Sequence, residues 1–199
     1  MIDEGYTKYQ CDWDLAPALP AETVEELNAW RNRLHDRGLI GYYQEHGVGF
    51  GNVSIREGDG DAFVISGTQT GHIARTDESH YARVTRCDIP VNRVRCEGPV
   101  QASSEALTHA AIYALNSAIR AVVHVHDATL WRNLKGRIPT TSDEVSYGTP
   151  EMAHEFHRLY EETDLPARGV AVMGGHEEGI VSFGASIAQA AERILRLRD

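Results

Sequence analysis

The sequence predicts a single α/β domain with a mostly antiparallel central β-sheet covered by helices on both faces. Three observations lead there. Short runs rich in Val and Ile lie between longer segments whose apolar residues recur at helical spacing, without the strict strand–helix alternation of a parallel sheet. No repeat, low-complexity tract or linker divides the 199 residues. That length is enough for one domain to bury a core unaided.

Each element has its own local justification. Residues 1–20 read as an irregular N-terminal extension punctuated by Pro17 and Pro20, and residues 21–199 as the domain proper. Ala21 to Arg37 predicts a helix, with Val24, Leu27, Trp30 or Arg31, and Leu34 on its apolar face and Gly38 as its stop. Gly47 to Gly51 is a glycine-rich turn feeding a short strand that runs to Arg56. Glu57 to Asp61 has turn chemistry, and Ala62 to Ser66 reads as a second strand. Ala102 to Asn116 predicts a helix opened by Ser103 and Ser104, and Ala121 to His126 a strand. Thr149 to Glu162 predicts a helix with Thr149 as N-cap, Pro150 in the first turn, and a stripe of Met152, Phe156, Leu159 and Tyr160. Gly169 to Met173 and Gly179 to Phe183 read as short strands flanking Gly174-Gly175-His176-Glu177-Glu178. A last helix starts at Ser186, with Gln189 completing a capping box and Ile187, Ala190, Ala191, Ile194 and Leu195 facing inward.

Composition narrows the function. Nineteen Lys+Arg against 29 Asp+Glu give a net charge of −10, which argues against nucleic-acid binding. No apolar run approaches the roughly 20 residues of a membrane span. Cys11, Cys87 and Cys96 form no CxxC pair, and the first 14 residues lack the basic and apolar regions of a signal peptide. A reduced, cytoplasmic setting is the expectation. Any metal site then has to come from histidine and carboxylate.

Ten histidines are available, and two of them are placed informatively. In Ala121-Val122-Val123-His124-Val125-His126, strand alternation puts His124 and His126 on one face and Val123 and Val125 on the other. That spacing suits two imidazoles converging on one metal, although a solvated polar face would look the same. His176, after two glycines that permit close backbone approach, is the candidate third ligand. Of the others, His72, His80, His109, His154 and His157 fall in loops or on helices, the last two on an exposed helical face. Ser103-Ser104-Glu105 reads either as helix-cap chemistry or as an anion site, with hydroxyls and free amides beside a carboxylate suited to proton transfer. Gly51-Asn52 and Ser66-Gly67-Thr68 offer similar donors.

Taken in order, GNVS at 51–54, SGTQTG at 66–71, ASSE at 102–105, HVH at 124–126 and GHEEG at 175–179 resemble the class II aldolase/adducin head-domain family. The resemblance implies a class II aldolase-like fold with one zinc ion held by His124, His126 and His176. It implies Glu105 as the acid/base residue and Asn52, Ser66, Gly67, Ser103 and Ser104 as the phosphate-binding set. The implied reaction is aldolase-type cleavage of a phosphorylated ketose through a zinc-stabilised enediolate. A homo-tetramer with sites at subunit interfaces is implied as well.

Two features depart from the aldolases. The stretch from Leu134 to Tyr147 is too short to match their segment carrying a proton-donating tyrosine, and Tyr147 reads as a structural aromatic. The chain also ends at Asp199 with no tail after the last helix. Epimerase, dehydratase and decarboxylase chemistry on the same scaffold, or a non-catalytic adducin-like interaction module, are the alternatives. A zinc hydrolase is a weaker one, because no HExxH helix accompanies the histidines.

Overall fold

In the computed structural model, which describes residues 6–198, the strand-like runs assemble into one eight-stranded sheet. Its strands are β1 (Gln10–Leu15), β4 (Asn52–Arg56), β5 (Phe63–Ser66), β6 (Tyr81–Asp88), β7 (Arg93–Gly98), β8 (Ala121–His126), β9 (Val170–Val172) and β10 (Gly179–Gly184). Across the sheet the order is β1-β7-β6-β5-β4-β8-β10-β9, and only the β1–β7 pair is parallel. A separate antiparallel hairpin joins β2 (Gly41–Tyr43) to β3 (Val48–Phe50).

Side-chain alternation divides the core into two layers. Phe63, Ile65, Val122, Val181 and Phe183 pack against α2 (Ala106–Leu115), α4 (Pro150–Glu162) and the short α5 (Leu165–Arg168). Val53, Val64, Val123, Val125 and Ile180 pack on the opposite face against α1 (Ala21–Asp36), α3 (Ala128–Leu134) and α6 (Ile187–Arg198). The domain is therefore an antiparallel-dominated α/β fold with helices on both faces, as its patterning predicts.

Several boundaries differ from the sequence reading. Residues 10–15, expected to be irregular, form β1 at the edge of the sheet. Trp13 and Leu15 stay exposed there, so no apolar alternation marks the strand; its support is main-chain pairing with β7 and an Arg93–Asp12 ion pair at 2.7 Å. The β6–β7 hairpin escapes pattern reading because a bulge between Val84 and Arg86 breaks the two-residue period. On α1 the buried slot goes to Arg31 rather than Trp30, and its guanidinium donates to the carbonyl oxygens of Thr70 and Ile73.

The predicted caps on α4 and α6 both form. Thr149 accepts from the Met152 amide, and Ser186 accepts from the Gln189 amide while the Gln189 side chain accepts from Ala185 N. By contrast, α2 begins at Ala106, four residues later than expected. Ser103 to Glu105 form a turn ahead of it, closed by Ala106 N donating to Ser103 O at 2.9 Å, so the serines do not cap the helix.

Candidate metal centre

The centre forms where β8 ends and β10 begins, roofed by the start of α2. Alternation carries His124 and His126 to the Val122 side of the sheet, and both are buried. His176 arrives from the turn before β10, where His126 pairs with Gly179. The glycines ahead of it are necessary. A Cβ at Gly174 would lie 2.2 Å from Thr141 O, and one at Gly175 would lie 2.3 Å from Val145 O. Trp131 Nε1 and the Thr141 hydroxyl anchor this turn through Met173 O and Gly174 N.

One ring nitrogen from each of His124, His126 and His176 lies within 4.8 Å of the others, with the Nε2 atoms of His126 and His176 3.2 Å apart. Glu105 joins them. Its Oε1 is 3.3 Å from His176 Nε2 and 3.7 Å from His124 Nδ1. Neither Glu105 oxygen has a well-formed hydrogen bond, and His124 Nε2 has no partner at all.

The protonation states suit a cation. Burial pushes His124 down to about 4 and His126 well below the ordinary histidine range, leaving both imidazoles uncharged at neutral pH. Burial acts to raise the Glu105 pKa, but the adjacent His124 and His176 outweigh it and hold the carboxyl at about 2. A buried carboxylate with neither oxygen in a well-formed hydrogen bond, beside three clustered imidazoles, is a set that a divalent ion would satisfy. The residues fit a metal.

The proposed anion-binding residues adjoin this centre. Asn52 pairs with His124 across β4 and β8, and its Nδ2 lies 3.3 Å from His124 Nδ1. Ser66 Oγ accepts from Val53 N, and Ser103 Oγ accepts from Glu105 N. The amides of Gly67, Thr68 and Ser103 donate to the carbonyls of His80, Gln101 and Ser66. These three amides are thus not free, contrary to the sequence expectation, because residues 66–68 and 101–103 zip together as an added rung beside the sheet. A phosphate here would draw on hydroxyls instead.

His109 lies outside the ligand cluster. It is fully buried, with Nδ1 2.7 Å from the Ser54 hydroxyl, which in turn meets Tyr113 Oη at 2.7 Å. Tyr147 is a buried wall whose ring centroid is 4.5 Å from that of His176, while its hydroxyl bonds the Tyr6 backbone. Sequence reasoning missed Tyr43 and Glu178. The Tyr43 hydroxyl lies 3.0 Å from His126 Nδ1 and donates to Glu178 Oε2 at 2.5 Å.

A family model described as the Class II Aldolase and Adducin N-terminal domain matches residues 33–199. The chain belongs to that family. Similar class II aldolase folds recur among solved structures. L-fuculose 1-phosphate aldolase is 18% identical with a TM-score of 0.66, the match covering 90% of this chain and 84% of the other. The sugar-phosphate aldolase from Thermotoga maritima is also 18% identical at a TM-score of 0.66, covering 88% and 90%. YgbL from Escherichia coli, for which aldolase, epimerase and decarboxylase chemistry are all entertained, is 19% identical at 0.65, covering 89% and 85%. No curated protein matches in sequence. Class II aldolases use a divalent metal, and in this member three buried histidines come together. Among the described residues, no helix is long and apolar enough to cross a membrane.

Proposed function

We propose that the chain is a metal-dependent lyase of the aldolase type that cleaves a phosphorylated ketose. The Glu105 carboxylate carries this reading: it is buried and ionised, with no well-formed hydrogen bond on either oxygen, and lies within 3.3–3.7 Å of two of the three clustered histidines. In this reading His124, His126 and His176 hold zinc, which would supply Lewis-acid polarisation of a substrate carbonyl. Glu105, ionised at neutral pH, accepts the proton from the carbon beside that carbonyl and returns it later. Burial of the four side chains excludes bulk water, keeping the proton local. The hydroxyls of Ser66, Ser103 and Ser104, with Asn52 and the Gly67 turn, orient the phosphate.

Proton removal next to a carbonyl also precedes epimerisation, dehydration and decarboxylation. The fold shared with YgbL keeps these as the second reading. An adducin-like interaction module has no use for an ionised carboxylate buried among imidazoles. The family resemblance adds a homo-tetramer with sites at subunit interfaces, the cysteine pattern adds a cytoplasmic setting, and sedimentation measures the assembly state.

The deciding experiment incubates the full-length chain with ketose 1-phosphates and pentulose 5-phosphates in the presence of Zn2+, Mn2+ or Co2+. Metal-dependent release of dihydroxyacetone phosphate supports the aldolase reading. Epimer formation without cleavage moves the assignment to the second. A folded protein that turns over none of them overturns both.

A further inference from the structure

We propose that Tyr43 and Glu178 are positioning residues that fix the tautomer and orientation of His126, reserving its Nε2 for a divalent cation. The inference rests on the metal reading of the site, but its starting point is proton arithmetic. A tyrosine hydroxyl carries one proton, and Tyr43 gives it to Glu178 Oε2 at 2.5 Å. At its 3.0 Å contact with His126 Nδ1 the same oxygen must therefore accept, so the proton sits on Nδ1 and the lone pair on Nε2. That Nε2 is the atom facing His176 Nε2 at 3.2 Å.

The elements carrying these two residues are shaped for the contact. Tyr43 ends β2, and Phe50 of β3 stacks on both Tyr43 (ring centroids 4.4 Å apart) and His126 (5.2 Å). The hairpin thus grips the imidazole by ring and hydroxyl together. Glu178 lies two residues after His176 with φ +67°, a left-handed conformation that a non-glycine side chain disfavours. Its carbonyl accepts from Asp127 N at 3.0 Å, next to His126. A glycine would adopt this backbone more easily, and the side chain is what glycine would lack. The Tyr43 hydroxyl therefore links the second ligand to the turn bearing the third, reaching Glu178 from 135 residues earlier in the sequence.

The test uses the full-length chain and its variants Tyr43→Phe, Glu178→Gln and Glu178→Gly. Long-range proton–nitrogen NMR of the metal-free protein reads the His126 tautomer, and competition with a chelator reads Co2+ affinity. Wild type is expected to show His126 protonated on Nδ1, and Tyr43→Phe to lose that preference. Outer-shell partners of this kind change metal affinity by about 10–100-fold. Tyr43→Phe and Glu178→Gly should weaken Co2+ by that factor, whereas Glu178→Gln, which keeps an acceptor oxygen, should stay within about 3-fold. Glu178→Gly also relieves the backbone, so its thermal midpoint should not fall, separating positioning from loss of fold. Wild-type His126 protonated on Nε2, or unchanged tautomer and affinity in Tyr43→Phe, overturns the proposal. If wild type binds no Co2+, the metal reading fails separately, and the tautomer measurement alone decides the Tyr43–Glu178 assignment.

Discussion

At the scale of single residues, the proposed chemistry concentrates on Glu105. Carboxylates with oxygens buried and unpartnered are costly in folded proteins, so this one marks a place where a ligand is meant to be. Glu105→Gln keeps the shape while removing the charge and the basicity. It should lower kcat on whatever substrate the chain turns over by about 10²–10⁴-fold, the usual worth of a general acid/base. Steady-state kinetics check this, and an unchanged kcat would remove Glu105 from the reaction. The clustering of His124, His126 and His176 beside Glu105 was legible in sequence because the signals are local: alternation in His-Val-His, two glycines before His176, and two serines before the carboxylate. Tyr43 and Glu178 were not. Their meaning depends on a contact between segments 135 residues apart, and a tyrosine in a short hairpin looks like any packing aromatic.

Among the elements, the β2–β3 hairpin reaches the site through Tyr43 and depends on glycine to do it. A Cβ on Gly71 would lie 2.1 Å from Gly41 O and 2.9 Å from Gly49 Cα, so the hairpin rests backbone to backbone on the loop that Arg31 holds from α1. Gly71→Ala should lift the hairpin, costing about 1–3 kcal/mol as overpacking does and weakening cation binding by withdrawing Tyr43 from His126. Urea midpoints and Co2+ affinity of the variant check both parts; unchanged values would mean that the hairpin does not support the site. Elements with clean periodicity and caps, such as α1, α4 and α6, were readable to within a residue or two. The exposed edge strand β1, the bulged β6 and the seven-residue α3 were not, because none presents an unbroken apolar period.

For the whole molecule, burying neutral histidines makes stability depend on pH. In the folded chain His109 sits at about 3 and His124 at about 4, both through burial, against an ordinary 6.5. Between about pH 6.5 and 4 the unfolded chain binds more protons, so stability falls as pH falls, by about 1.4 kcal/mol per pH unit for each such group. Glu105, held at about 2 against 4.5, extends the loss in the same direction to lower pH. Urea midpoints of metal-free protein at pH 7, 6 and 5 should therefore decline stepwise, and a flat profile would contradict the burial of neutral imidazoles. The fold class was legible from patterning, and the net charge of −10 proved uninformative about the site, whose electrostatics are set within a few ångströms.

The proposed function stands or falls on His124, His126 and His176 holding a divalent ion beside Glu105. Calorimetric titration of the metal-free, full-length chain with Zn2+ tests it most directly. Saturation at one ion per chain is expected, lost in His124→Ala and His126→Ala variants that keep their far-ultraviolet circular dichroism. A folded wild-type chain that takes up no ion, or variants that bind as wild type does, would contradict it.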